Sequence, residues 1–221
     1  MTILTPHIEI LPSAQQKIWP ELAPVTRRGF VLYGGTAAAL QLAHRFSLDF
    51  DFFSSRPFKN EEIFQLLPFL KGSTVEQSGI NTLSVRTQSH VGISFFGEIS
   101  FGRVGEPLVC PETGLQVASL DDLMALKLKV LLDRCACKDY MDISAMIQAG
   151  VSVAKGLSSA REMFGPEFQP MIALKAMTCF EGGDLNELSR KDRTILITAS
   201  RKVGMLPHSR IISYELSSSG V

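Results

Sequence analysis

The sequence has no net charge, since 22 lysines and arginines balance 22 aspartates and glutamates. No global basic field therefore argues for nucleic-acid binding, although a local patch stays open. Its four cysteines, Cys110, Cys135, Cys137 and Cys179, form no C-x-x-C and have no histidine pair nearby. Reduced thiols are expected, with the Cys135-Ala136-Cys137 pair as a metal or redox alternative. No apolar run approaches the ~20 residues of a membrane span, and no signal pattern opens the chain. The expectation is a cytoplasmic protein with no membrane partner. Internal repeats and low-complexity tracts are missing too. What is present is a chain of 221 residues, 45% hydrophobic, enough for a real core in one large domain or two small ones.

Residues 34 to 53, GGTAAALQLAHRFSLDFDFF, organise the reading. The apolar run Phe30-Val31-Leu32-Tyr33 reads as a buried strand and Gly34-Gly35 as a tight turn. Thr36 then reads as the N-cap of the helix TAAALQLAH. Beyond Arg45 the period becomes two: Ser47, Asp49 and Asp51 share one face, and Phe46, Leu48, Phe50 and Phe52 the other. Free N–H groups at a glycine turn and helix start attract anions. Two carboxylates at i and i+2 lie roughly 7 Å apart on a strand, within reach of a metal pair about 3.5–4 Å apart. A half-buried strand with a wet polar face gives the same alternation. The glycine turn just upstream favours the chemical reading, a metal-bound phosphate.

The string G-G-T, twelve residues, then D-F-D resembles the first motif of the DNA polymerase β-like nucleotidyltransferases. With H-R-F-S before D-F-D-F-F, it is similar to the AbiEii/AbiGii-type nucleotidyltransferase toxins. The resemblance implies that Asp49 and Asp51 hold Mg²⁺ or Mn²⁺ and that Gly34, Gly35 and Thr36 hold nucleotide phosphates. His44 and Arg45 either structure the helix–strand turn or touch the nucleotide. In the wider superfamily a third carboxylate comes from a neighbouring strand. Ser94 stands at the matching place, and Glu98, four residues on, is the candidate substitute.

The rest of the chain supplies a frame. Residues 13–28 read as short helices broken near Pro20 and Pro24, and 60–70 as a helix capped by Asn60. Between 73 and 118, short β-branched and aromatic runs predict further strands, antiparallel beside D-F-D. From Leu120 the pattern is helical. On a wheel, Lys127 sits in the middle of an apolar stripe with Arg134 nearly in line, while Asp122, Lys129 and Asp133 fall on the opposite, solvated face. A lysine there either snorkels at a domain edge or meets an anion. In K-D-Y-M-D, Asp139 either caps its helix or serves a site, and Asp142 lies on the inward face. This block resembles the second family motif, which implies a phosphate or acceptor contact for Lys127, a phosphate contact for Arg134, and a base or positioning role for Asp142, with Asp139 competing. Further helices are expected at roughly 153–164, 168–180 and 188–203, then a tail docking on the body.

The expected fold class is α+β: a mixed-sheet nucleotidyltransferase core over residues 1–118, flanked by helices, and a helical C-terminal region over 119–221 that completes the cleft. The function implied is transfer of a nucleoside monophosphate from an NTP to an acceptor, a tRNA 3′ end or a protein, by the toxin half of a toxin–antitoxin or phage-defence pair with a cognate antitoxin. The Ser94 departure keeps a non-catalytic nucleotide- or partner-binding module as an alternative. An antibiotic-type small-molecule nucleotidyltransferase is another.

Overall fold

A computed structural model describes residues 2–218. The chain up to Gly102, Glu106–Ser119 and the residues from Ser213 form one compact unit, and Arg103–Gly105 with Leu120–Ile212 form a second.

The first unit is built on one sheet. Its elements are β1 (Thr2–Ile3), α1 (Ser13–Ile18), a 3-10 stretch over Pro20–Arg28, β2 (Val31–Tyr33), α2 (Gly34–Leu42), β3 (Asp49–Phe53), α3 (Asn60–Leu66), β4 (Thr74–Gly79), β5 (Thr82–Arg86), β6 (Gly92–Phe96), β7 (Leu108–Val109) and β8 (Gln116–Val117). The strand order is β1-β7-β8-β2-β3-β6-β5-β4. Alternation dictates which face of the central strands is inside. Phe50, Phe52, Ile93, Phe95, Leu83 and Val85 are all fully buried. The Phe52 and Phe95 rings stack at 5.5 Å. Burying each such ring contributes about 1.5–3 kcal/mol. α2 is apolar all round, with Ala37, Ala38, Ala39 and Leu40 fully buried, so it lies inside the unit rather than on its surface.

Three local expectations are corrected. β3 begins at Asp49, because Ala43 takes φ 48 and ends α2 in a left-handed turn that delays the extended chain. Phe46 and Leu48 are therefore exposed, at 67% and 64%, rather than facing the core. β6 runs parallel to β3, while β5 is antiparallel to β6 and β4 to β5. Two hairpin reversals after α3 bring the third strand back in the direction of β3. Asn60 does not cap α3; Lys59 holds the N-cap position. The Asn60 amide donates instead to the Ser78 hydroxyl at 2.8 Å.

The tail belongs with the sheet. Leu216 is fully buried, and the Ser218 N–H donates to Gln116 at 2.8 Å. Glu215 meets Arg56 at 3.4 Å. The expected helical region over 119–221 thus gives up its last residues, from Ser213, to the sheet unit.

The second unit is helical: α4 (Leu120–Val130), α5 (Cys137–Gln148), α6 (Val153–Phe164), α7 (Pro170–Ala176) and α8 (Arg190–Arg201). Ser152 and Ser189 cap α6 and α8 by accepting the Lys155 and Asp192 N–H groups. α4 and α6 pack closely because Gly156 has no side chain; a Cβ there would run into Met124 and Leu128. Asp122 departs from its wheel position on the solvated face. It is 1% exposed, and its carboxylate accepts the Val104 N–H at 2.7 Å. A backbone donor from the Arg103–Gly105 loop stands in for water.

Candidate active site

β3 carries Asp49 and Asp51 on the face opposite Phe50 and Phe52. Both carboxylates rest against bare backbone. A Cβ on Gly34 would collide with the Asp51 carboxylate, and one on Gly92 with that of Asp49. Gly34 is doubly constrained, since its φ of 73 also disfavours any L side chain. The start of α2 is therefore pressed directly against Asp51. The Asp49 side chain is 46% exposed, and Arg86 Nη1 lies 3.9 Å from its Oδ1.

The glycine turn has a cation beside it. A Cβ on Gly35 would strike the Arg45 guanidinium, and Arg45 Nη1 donates to the Phe46 carbonyl at 2.8 Å. Thr36 does not cap α2, whose N-cap position is Tyr33 with no side-chain cap bond. Instead Thr36 is 1% exposed and its hydroxyl donates to the Asp49 carbonyl at 2.5 Å. That bond ties the first turn of α2 to the start of β3 and fixes the glycine turn relative to the acids. His44 stands in the helix–strand turn, directly after left-handed Ala43.

The place of a third carboxylate is filled by Ser94, which pairs with Asp51 across β3 and β6. Its Oγ accepts from Ser84 Oγ at 3.0 Å. Glu98 lies beyond the end of β6, roughly 13 Å along the chain from Ser94 at about 3.3 Å per residue. It takes φ 56, and its Oε2 accepts from Asn81 at 2.6 Å. Among the described residues no group of three or more His, Cys, Asp or Glu could hold a metal. The donor set offered is two carboxylates on one face, each given room by a glycine. That suits Mg²⁺, which is commonly held by one or two carboxylates and completed by substrate phosphates and water.

Beside Asp49 lies a pocket of about 460 Å³ whose walls include Gln15, Leu48, Arg86, His90 and Val91. Arg86 is fixed by a fork to Glu76, at 2.5 and 3.1 Å, and Nη1 donates to the His90 carbonyl at 3.3 Å. The Glu76 hydrogen bond raises the Arg86 pKa further, so the charge is permanent. Sequence reasoning missed Arg86 and Gln15. Arg86 could have been found from register, since it pairs with Gly92, which pairs with Asp49. Nothing in the sequence marked Gln15.

The second unit holds its own charged cluster. Lys127 is 5% exposed. Its Nζ lies 2.6 Å from Asp139 Oδ1 and 2.6 Å from Asp142 Oδ2. Arg134 closes on Asp139 from the other side, at 2.8 and 3.1 Å. Burial pushes the Asp139 carboxyl up, but the Arg134 hydrogen bond and the Lys127 charge outweigh it and hold it below the usual carboxylate range. Asp139 does not cap α5. That service comes from Asp184, which accepts the Cys137 N–H at 2.6 Å.

Residues 23–193 match the family model described as Nucleotidyl transferase AbiEii toxin, Type IV TA system. The chain belongs to the AbiEii family. It is a nucleotidyltransferase. The AbiEii match spans the glycine turn, both β3 aspartates and the Lys127–Asp142 cluster. In fold, the chain is similar to an antigenic nucleotidyltransferase-like protein from Paracoccidioides brasiliensis, at 15% identity and a TM-score of 0.51, covering 89% of this chain and 96% of that one. It is also similar to the antibiotic-resistance factor ANT(2″)-Ia, at 14% identity and a TM-score of 0.48, covering 69% and 88%. No curated protein matches. No helix among the described residues is long and apolar enough to cross a membrane.

Proposed function

We propose that this AbiEii-family enzyme transfers a nucleoside monophosphate from an NTP to a hydroxyl of an RNA end, with a tRNA 3′ end as the first candidate. The observation that carries the reading is the start of α2 seated on Asp51, which brings the glycine turn and a β3 carboxylate into contact. Asp49 and Asp51 would hold a divalent cation, Mg²⁺ or Mn²⁺, which supplies charge neutralisation to the triphosphate and acidifies the attacking hydroxyl. The chain's own groups do the rest. N–H groups at Gly34, Gly35 and Thr36 bind the β and γ phosphates, helped by the dipole of α2. Arg45, held over Gly35, neutralises charge that grows on the departing pyrophosphate. Ser94, next to Asp51, leaves the third-ligand position without a negative charge.

Lys127, Arg134, Asp139 and Asp142 act as one unit in this reading. Lys127 and Arg134 are the cations offered to phosphate or acceptor, and Asp142 is the base or the group that positions Lys127. Their present pairing supports the positioning role for Asp142, because its carboxylate is fully buried and holds the ammonium at 2.6 Å.

The biological reading is the toxin of a type IV pair with a cognate antitoxin, acting in the cytoplasm. The test is incubation with Mg²⁺ and each labelled NTP in the presence of total RNA, total protein or small sugars, beside Asp49→Ala and Asp51→Ala. Label on RNA that requires both aspartates supports the proposal. Label on protein or on a small molecule replaces the acceptor. Nucleotide binding without transfer to any acceptor would leave a binding module.

A further inference from the structure

We propose that the outward face of α8 is a docking surface for the sugar–phosphate backbone of a duplex RNA stem, the folded part of the acceptor. This rests on the RNA-transfer reading above.

The chain balances its charges overall but not locally. Residues 190–210 carry six lysines and arginines against one acid, and no further acid follows before Glu215. Most of that surplus sits on one helix. α8 packs on α5 and buries Leu196. At 3.6 residues per turn, Arg190, Lys191, Thr194, Thr198, Arg201 and Lys202 fall within an arc of about 120°, centred opposite Leu196. All six are exposed.

The charged groups of α8 outside this arc are engaged elsewhere. Asp192 turns inward and accepts the Ser144 and Ser189 hydroxyls, each at 2.6 Å. Arg193 donates to the Leu185 and Leu188 carbonyls at 2.7 and 3.1 Å, and its guanidinium carbon lies 5.4 Å from the centre of the Phe180 ring. Among the described residues, Arg190, Lys191, Arg201 and Lys202 have no acid partner. Arg190 and Lys191 also stand in the first turn, where the helix dipole disfavours a cation. Helix stability alone does not select them there.

The chemistry of the arc selects its occupant. It offers cations and hydroxyls and no apolar side chain. Those are the donors that grip phosphate and sugar oxygens. A membrane surface would call for an apolar face that inserts, and the centre of a protein interface for aromatic or aliphatic anchors. Arg190 and Arg201 lie roughly 16 Å apart along the helix axis, a length over which a nucleic-acid duplex presents several phosphates. An RNA stem is recognised through its backbone and shape, which is what such a face can read.

The test is the anisotropy of a fluorescent RNA hairpin titrated with the full chain at several salt concentrations. A variant carrying Arg190→Gln, Lys191→Gln, Arg201→Gln and Lys202→Gln is compared with the wild type. The control carries Lys59→Gln and Lys71→Gln, two exposed cations of the first unit. The wild type is expected to bind the hairpin with an affinity that falls steeply with salt. The α8 variant is expected to bind about tenfold or more weakly, with the slope of log affinity against log salt reduced by about three, and the control to match the wild type. Arg190→Gln with Lys191→Gln, and Arg201→Gln with Lys202→Gln, should each take about half of that change, with melting curves showing both folded. An unchanged slope in the α8 variant overturns the surface, and so does an equal loss in the control. Wild-type binding to phosphatidylserine vesicles or polyglutamate but not to the hairpin overturns it too. Transfer assays separate the surface from the reading it rests on. A hairpin bound through α8 but never labelled in the presence of NTP and Mg²⁺ sinks RNA as the acceptor and leaves the surface standing. Labelled hairpin whose KM is the same in the α8 variant as in the wild type does the reverse. A single strand too short to form a stem should be labelled with one KM by both.

Discussion

Two pairs of aspartates, one on β3 and one on α5, differ in how the fold houses them. Asp139 and Asp142, three apart on α5, are fully buried and share the Lys127 ammonium, with Arg134 completing the set. Asp49, two before Asp51 on β3, keeps a half-exposed side chain and meets a cation only at 3.9 Å, from Arg86. In the helical unit the fold supplies its own counter-charge. In the sheet unit it leaves the Asp49 carboxylate half-exposed beside a pocket. Residue type is the same in both, so function is read from the partners and not from the acids.

The comparison is broken most sharply by neutralising each pair in turn. Asp51→Asn is expected to cut nucleotidyl transfer by about a thousandfold, which corresponds to the several kcal/mol that metal-assisted charge stabilisation supplies. It should hardly move the urea midpoint. Lys127→Met should do the opposite to stability. It takes the shared ammonium away from two buried carboxylates, and loss of about 3–5 kcal/mol is expected, read as a lower urea midpoint. If Asp51→Asn unfolds the protein as readily as Lys127→Met does, the distinction between the pairs collapses.

A pH titration sharpens it further. The folded Asp139 carboxyl titrates below its ordinary value of 3.8. Its contribution to stability is therefore complete above that value and drains away as pH falls through the lower, folded one. Helical circular dichroism should show this acid loss, and Arg134→Gln should move it to higher pH. The smallest effect is on the thiols. Burial pushes Cys110 up to about 12, whereas Cys135 and Cys179 are exposed. A thiol reagent should modify Cys135 and Cys179 in the native protein and reach Cys110 only after denaturation.

How much of this was legible follows from what one-dimensional patterns can carry. The glycine turn and the two faces of D-F-D were readable because both are local: period two puts Asp49 and Asp51 together whatever the rest of the chain does. Lys127 was readable as an anomaly in an apolar stripe, but its partners were not assigned, because α5 is a separate helix and their approach is tertiary. Asp122 was misjudged for the same reason. A wheel knows only its own helix, and the Val104 N–H that satisfies Asp122 comes from a distant loop. The parallel pairing of β6 with β3 was hidden by topology, since strand-like runs do not state their direction. Gln15 was invisible because an unpaired amide looks, in sequence, like any polar residue in a short helix.

The return of the tail to the sheet has a consequence for how the protein is made. Leu216 fills a slot in a unit that otherwise ends at Ser119. On the ribosome, the portion synthesised first thus waits for its final piece until the whole helical unit has been translated, and premature termination between Ser119 and Leu216 leaves an open seam in the oldest half of the chain.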